Sequence, residues 1–251
     1  RPGSPPPPSG YFTPSNIVPG GDGFFYSLFF SIPDPLRPAE RGVCLMRTAT
    51  LGDPASWRAW DGRGFDLTLR SPYDASGAPA PTGLPPCAFV DQRTIGDLHG
   101  SLTWNEALGR WLLVGSGVRT VDRQTVCGSY FSTSTDLLRW SEPQLLLPGK
   151  LPHPPCAQPG DPNGSLIFPS LIDHASPSPN FETTGETPHL YYVRWNQGLD
   201  RDLLRAPVRF RVRAAAANAA SFAGEAVAAG LLVTVFGENL GPEAAVSGVV
   251  A

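Results

Sequence analysis

The chain has 251 residues and a mass of 26.7 kDa, enough for one large all-β unit or a mid-sized domain with part of a second. Its 27 glycines and 29 prolines, roughly 22% of the chain, are set against 41% hydrophobic and 10% aromatic residues, a balance that still supports a packed core. Only 16% of residues are charged and the net charge is -3, which excludes the basic field that nucleic-acid binding needs.

The first ten residues, RPGSPPPPSG, carry five prolines and read as a stiff polyproline-like linker, residues 1–10. The sequence starts at Arg1 with no apolar signal stretch, so a piece of a longer exported polypeptide is expected. From 11 to about 213, short aromatic and β-branched runs are broken by Pro, Gly, Asp and Asn, the pattern of strands and turns rather than helices. No stretch of about 18 apolar residues occurs, so no membrane-spanning segment is expected.

Within 11–213 a paired-strand unit recurs. FFYSLFF (Phe24 to Phe30) precedes GVCLMRTATL (Gly42 to Leu51), RWLLVGSG (Arg110 to Gly117) precedes GSYFSTSTDL (Gly128 to Leu137), and HLYYVRW (His189 to Trp195) precedes DLLRAPVRF (Asp202 to Phe210). The first strands start 86 and 79 residues apart. These periods exceed the about 40 to 50 residues of ordinary propeller blades, so long loops are expected at Asp61 to Val90 and Leu147 to Pro169. Similar turns follow the second strand at TLGDPASW, TDLLRWSEP and, more loosely, DLLRAP, which makes Trp57 and Trp140 candidate wedges between sheets.

Four cysteines, Cys44, Cys87, Cys127 and Cys156, lack C-x-x-C spacing, so zinc-ribbon and thioredoxin sites are excluded. Two disulfides are expected. Of the three pairings, Cys44 with Cys87 and Cys127 with Cys156 join sequence neighbours, the alternative being four reduced, buried thiols. After Arg213 the composition turns alanine-rich, marking a boundary and a second unit at 214–251. Asn218, Gly224 and Gly230 oppose a long helix there, and LLVTVFG (Leu231 to Gly237) alternates like a strand.

The stretch STSTDLLRWSEP (Ser132 to Pro143), with its S-x-D-L-x-x-W phrase, resembles the outer-strand signature of five-bladed β-propellers in glycoside hydrolases and related carbohydrate-active proteins. Phe168 to Asn196 resembles the inner-strand entry of a further blade, so the resemblance spans most of 20–213. It implies an all-β fold, a β-propeller incomplete in this chain, acting on or binding polysaccharide or glycan. The N-A-A-S-F and V-F-G-x-N-L-G-P phrases of the tail resemble the opening of an Ig-like or TIG-like C-terminal domain common in secreted acidobacterial proteins of the Solibacter type. That implies a truncated β-sandwich and an extracellular, monomeric parent.

Glycosidic cleavage needs two carboxylates of different proton affinity. In the propeller glycosidases such groups sit near the innermost strands, and the resemblance places Asp22, Asp97 and Asp173 there as catalytic candidates, with Glu182 and Glu186 in the loop after Asp173. Turn chemistry is the competing reading, because Asp beside Gly, Pro or Ser is what β-turns use. His174, Glu182, Arg194 and Trp104 are the candidate substrate contacts, and Trp60 and Tyr73 could also stack on sugar rings. Core packing is the plainer role for the tryptophans. With no G-x-S-x-G, phosphate loop or histidine pair at metal spacing, no metal or cofactor is expected. Two functions remain open: a glycoside hydrolase-like propeller, or a non-catalytic extracellular binding or scaffold propeller with an Ig-like accessory domain.

Overall fold

The computed structural model describes residues 10–34, 40–69, 87–96, 98, 100–157 and 161–211, together with the backbone of 214–218 and 233–237. These residues build strands almost throughout. The first sheet holds β1 (Gly10–Phe12), β2 (Val18–Pro19), β3 (Phe25–Ile32), β4 (Gly42–Thr48), β5 (Arg58–Ala59) and β6 (Leu67–Thr68). One short helical turn, α1 (Gln92–Ile95), leads into the second, made of β7 (Ser101–Asn105), β8 (Arg110–Val121), β9 (Gln124–Ser134) and β10 (Gln144–Pro148). The third contains β11 (Ser165–Ile172), β13 (His189–Trp195) and β14 (Arg201–Pro207), and the loop between its first two strands carries β12 (Thr183–Thr184). A separate antiparallel pair joins β15 (Ala214–Asn218) to β16 (Val233–Gly237), so the alanine run is extended rather than helical.

The three larger sheets are built on antiparallel meanders, the second extended by the parallel β12, and each contains one of the predicted strand pairs: β3 with β4, β8 with β9, β13 with β14. A further strand precedes each pair. In the first sheet that strand is broken, β1 and β2 lying in succession along β3; in the others it is β7 and β11. Asp122 and Arg123, both with positive φ, close the β8–β9 hairpin as a two-residue turn whose twist matches its strands.

The sheets pack face to face in chain order. Leu28, Val43 and Leu45 of the first meet Leu102 and Leu113 of the second in one core; Leu112 and Val114, the opposite face of β8, meet Leu171 and Leu190 of the third in another. The second sheet is therefore covered on both faces, and β8 reads as a continuous apolar run rather than an alternating one. A third cluster of Phe29, Cys44, Ala59 and Cys87 covers the other face of the first sheet.

The disulfides follow the expected pairing. Cys44–Cys87 ties β4 to the segment before α1, and Cys127–Cys156 ties β9 to the loop after β10, with Cα atoms 6.2 and 5.9 Å apart. No helix among the described residues is long and apolar enough to cross a membrane.

The S-x-D-L-x-x-W phrase is a turn with a packed tail. Ser134 Oγ accepts from the Asp136 and Leu137 amides, and Asp136 Oδ1 accepts from those of Leu138 and Arg139. This holds Leu137 at φ 63° and folds its side chain and that of Trp140 into the first core, where they are 3% and 7% exposed. Trp57 departs from the expected parallel: it is only half-buried and lines a shallow hollow with Met46 and Leu69. The third expected turn is absent as well, because Asp202 lies inside β14.

Candidate functional site

The loop after β11 is laid against β7. Thr183 and Thr184 pair with Trp104 and Asn105 in parallel register, the Trp104 amide donating to the Glu182 carbonyl at 2.8 Å and the Glu106 amide to that of Thr184 at 2.8 Å. The Asn105 side chain fastens the contact, donating to Thr184 Oγ1 at 3.1 Å and to the Gly185 carbonyl at 2.7 Å. At the start of the same loop Asp173 accepts from the Gly185 amide at 2.6 Å and from the Ala175 amide at 2.9 Å. Glu182 accepts from Ser178 Oγ at 2.8 Å and from Asn180 Nδ2 at 3.3 Å. Three of the expected residues, Asp173, His174 and Glu182, thus belong to one ordered loop, with both carboxylates engaged by donors of that loop.

His174 turns away from these amides toward β13. Its Nε2 shares a 2.8 Å hydrogen bond with the Tyr191 hydroxyl, which also accepts from Arg205 Nη1 at 3.4 Å. His189 packs edge-on against the His174 ring, centroids 5.2 Å apart, and its own Nδ1 is buried without a partner. His189 and Tyr191 share a face of β13 because side chains alternate along a strand. Arg205 is Tyr191's cross-strand neighbour on β14. The sequence reading passed over His189, Tyr191 and Arg205; the signal available was the period-two spacing within HLYYVRW.

Asp22 sits elsewhere, exposed at the tip of the β2–β3 turn between Gly21 and Gly23. Both glycines have positive φ, 77° and 87°, conformations that side chains disfavour. Its carboxylate accepts from the Tyr26 hydroxyl at 2.7 Å and the Phe24 amide at 3.1 Å. Partial desolvation, the largest single influence, opposes ionisation, but the Tyr26 hydroxyl, the main-chain donors and the Arg47 charge outweigh it and hold the carboxyl below the usual carboxylate range. Burial pushes the Tyr26 phenol up, opposed by Arg47 and aided by Asp22. Arg47 itself lies between the Phe24 and Phe65 rings, 4.0 and 4.3 Å from their centroids.

The remaining expected residues do not join these groups. Arg194 pairs with Asp202 on the neighbouring strand at 2.6 Å, on an exposed part of the third sheet. Trp104 packs against the first core, edge-on to Trp111 at 5.1 Å, and Trp60 packs against Phe65. The main chain of Trp104 hydrogen-bonds to the Glu182 loop. Asp97 and Tyr73 lie outside the described residues. No group of three or more His, Cys, Asp or Glu side chains among the described residues is placed to hold a metal ion. Compared with protein-family models, with curated proteins and with solved structures, the chain matches none of them.

Proposed function

We propose that this chain is a carbohydrate-binding β-propeller segment of a secreted protein, similar in plan to the glycoside hydrolase propellers, with β15 and β16 opening an Ig-like accessory domain. The observation that supports a radial plan is the contact between successive leading strands. Asn16, between β1 and β2, bonds to Leu102 of β7, and Ser101 of β7 accepts from the Leu171 amide of β11. In a radial plan leading strands run the same way. Asp22 and Asp173 follow theirs and so share one mouth. The two disulfides favour an oxidising, extracellular setting.

Binding is favoured over cleavage by the engagement of the loop carboxylates with donors of their own loop. A glycosidase acid needs a raised proton affinity. Asp22 is displaced the other way. Asp173 and Glu182 instead shape the loop that presents His174, and with it Tyr191 and Arg205, a set of ring faces and hydrogen-bonding groups suited to sugar hydroxyls.

Glycan-array screening followed by calorimetry with neutral oligosaccharides tests the reading, alongside a reducing-sugar assay. The expected result is binding without release of reducing ends, weakened by His174→Ala and by Tyr191→Phe. Release abolished by Asp173→Asn would establish the hydrolase instead, and no binding across the array would overturn the carbohydrate assignment.

A further inference from the structure

A cleft of about 1110 Å³ opens between the outer part of the second sheet and the segment that leaves the third, residues 207–211. It contains none of the candidate site residues considered above. Its floor is apolar, built on Phe131 and Phe210, whose rings meet edge-on at 5.2 Å, with Leu145 exposed along it. Its polar lining is one-sided in charge: among the described residues Arg110, Arg139, Arg209 and Arg211 line it, and no Asp or Glu does.

The four guanidinium groups are not equally occupied. Glu186, just outside the lining, takes Arg209 at 2.6 Å and reaches Arg211 at 3.9 Å. Arg110 and Arg139 have no acidic partner within ion-pair distance among the described residues; the nearby Asp136 spends Oδ1 on the Leu138 and Arg139 amides. Thr133 and Ser141 add hydroxyl groups to the wall. The whole chain carries a net charge of -3, so this local excess of positive charge is not the reflection of a basic protein. Two guanidinium groups without an acidic partner, over an apolar floor, match a ligand with planar anionic groups on a carbon framework.

We propose that this cleft is a second binding site, specific for an acidic saccharide whose carboxylate or sulfate groups are received by Arg110 and Arg139. The ring faces of the sugar lie on the Phe131 side. Arg209 and Arg211 are held back by Glu186, which makes that carboxylate an internal competitor for the ligand's anionic groups. The site shares no lining residue with His174, Tyr191 and Arg205, meets their loop only through Glu186, and does not require the radial plan.

Titration calorimetry on the whole chain with oligogalacturonate, a sulfated dextran oligomer and a neutral oligosaccharide tests it. An acidic oligomer is expected to bind, its affinity falling as salt rises, and to lose about tenfold or more in the Arg110→Gln/Arg139→Gln double variant. Glu186→Gln is expected to tighten binding, a gain that misfolding cannot imitate. The uronate and sulfate arms identify which anionic group is preferred. Absence of binding by both acidic oligomers, or binding indifferent to the double variant and to Glu186→Gln, would overturn the site. Neutral-sugar binding that responds to His174→Ala but not to the arginine changes keeps the two sites distinguishable.

Discussion

Asn16 reproduces with its side chain both hydrogen bonds of a paired peptide: its Nδ2 donates to the Leu102 carbonyl at 2.6 Å and its Oδ1 accepts from the Leu102 amide at 2.8 Å. One amide side chain therefore joins the leading strands of the first two sheets. Asn16→Ala leaves both Leu102 main-chain groups without that partner beside a side chain that is 0% exposed, and should cost about 2–3 kcal/mol. Denaturant unfolding measures it. A loss under about 0.5 kcal/mol would show that another group takes over the pairing.

Trp140 and Trp57 occupy similar places in the sequence and different places in the packing. Trp140→Ala empties a site that is 7% exposed and should cost about 3–5 kcal/mol. Trp57→Ala, at a half-buried position, should cost less than half as much. Equal unfolding midpoints for the two variants would contradict this division.

The two disulfides close segments of 43 and 29 residues, so the chain-entropy difference between them is small. Removing either pair by double Cys→Ser substitution should cost about 2–4 kcal/mol, and reductant should lower the unfolding midpoint of the native chain. An unchanged melting curve under conditions that reduce both bonds would refute the estimate.

The Asp22 carboxyl titrates below its ordinary range in the folded chain, so its contribution is complete above the unfolded value near 3.9 and is lost as pH falls through the folded one. Asp22→Asn should be less stable than the native chain at neutral pH, and the gap should close on acidification below that window. Tyr26 has the opposite sense: its raised value makes its contribution present below about pH 10 and lost as pH climbs past the folded value. A gap that stays constant from pH 7 to pH 2.5 would remove Asp22 from the acid response.

The central strand pairs were legible because aromatic and β-branched runs such as FYSLFFSI and HLYYVRW advertise them. The leading strands were not. SLTWN is short and hydroxyl-rich, its Ser101 and Thr103 buried between sheets. SLIFPSLI carries a proline, tolerated because Phe168 takes a positive φ of 55° and a register shift falls between Ile167 and Ser170. The candidate site was half legible: Asp173, His174 and Glu182 stand together in sequence, whereas His189 and Tyr191 join His174 only through strand pairing. The arginines of the cleft come from three separated places, Arg110, Arg139 and the pair Arg209 and Arg211, so nothing in the sequence joins them into one group.

The parallel contact of Thr183 and Thr184 with β7 has a protective side. Those two residues occupy main-chain donors and acceptors that would otherwise stand open along the flank of the second sheet, a template for strand addition by another molecule. Anything that lifts the 173–188 loop, including a change at the buried Thr184, exposes that flank, so the placement of His174 and resistance to aggregation rest on the same pair of threonines.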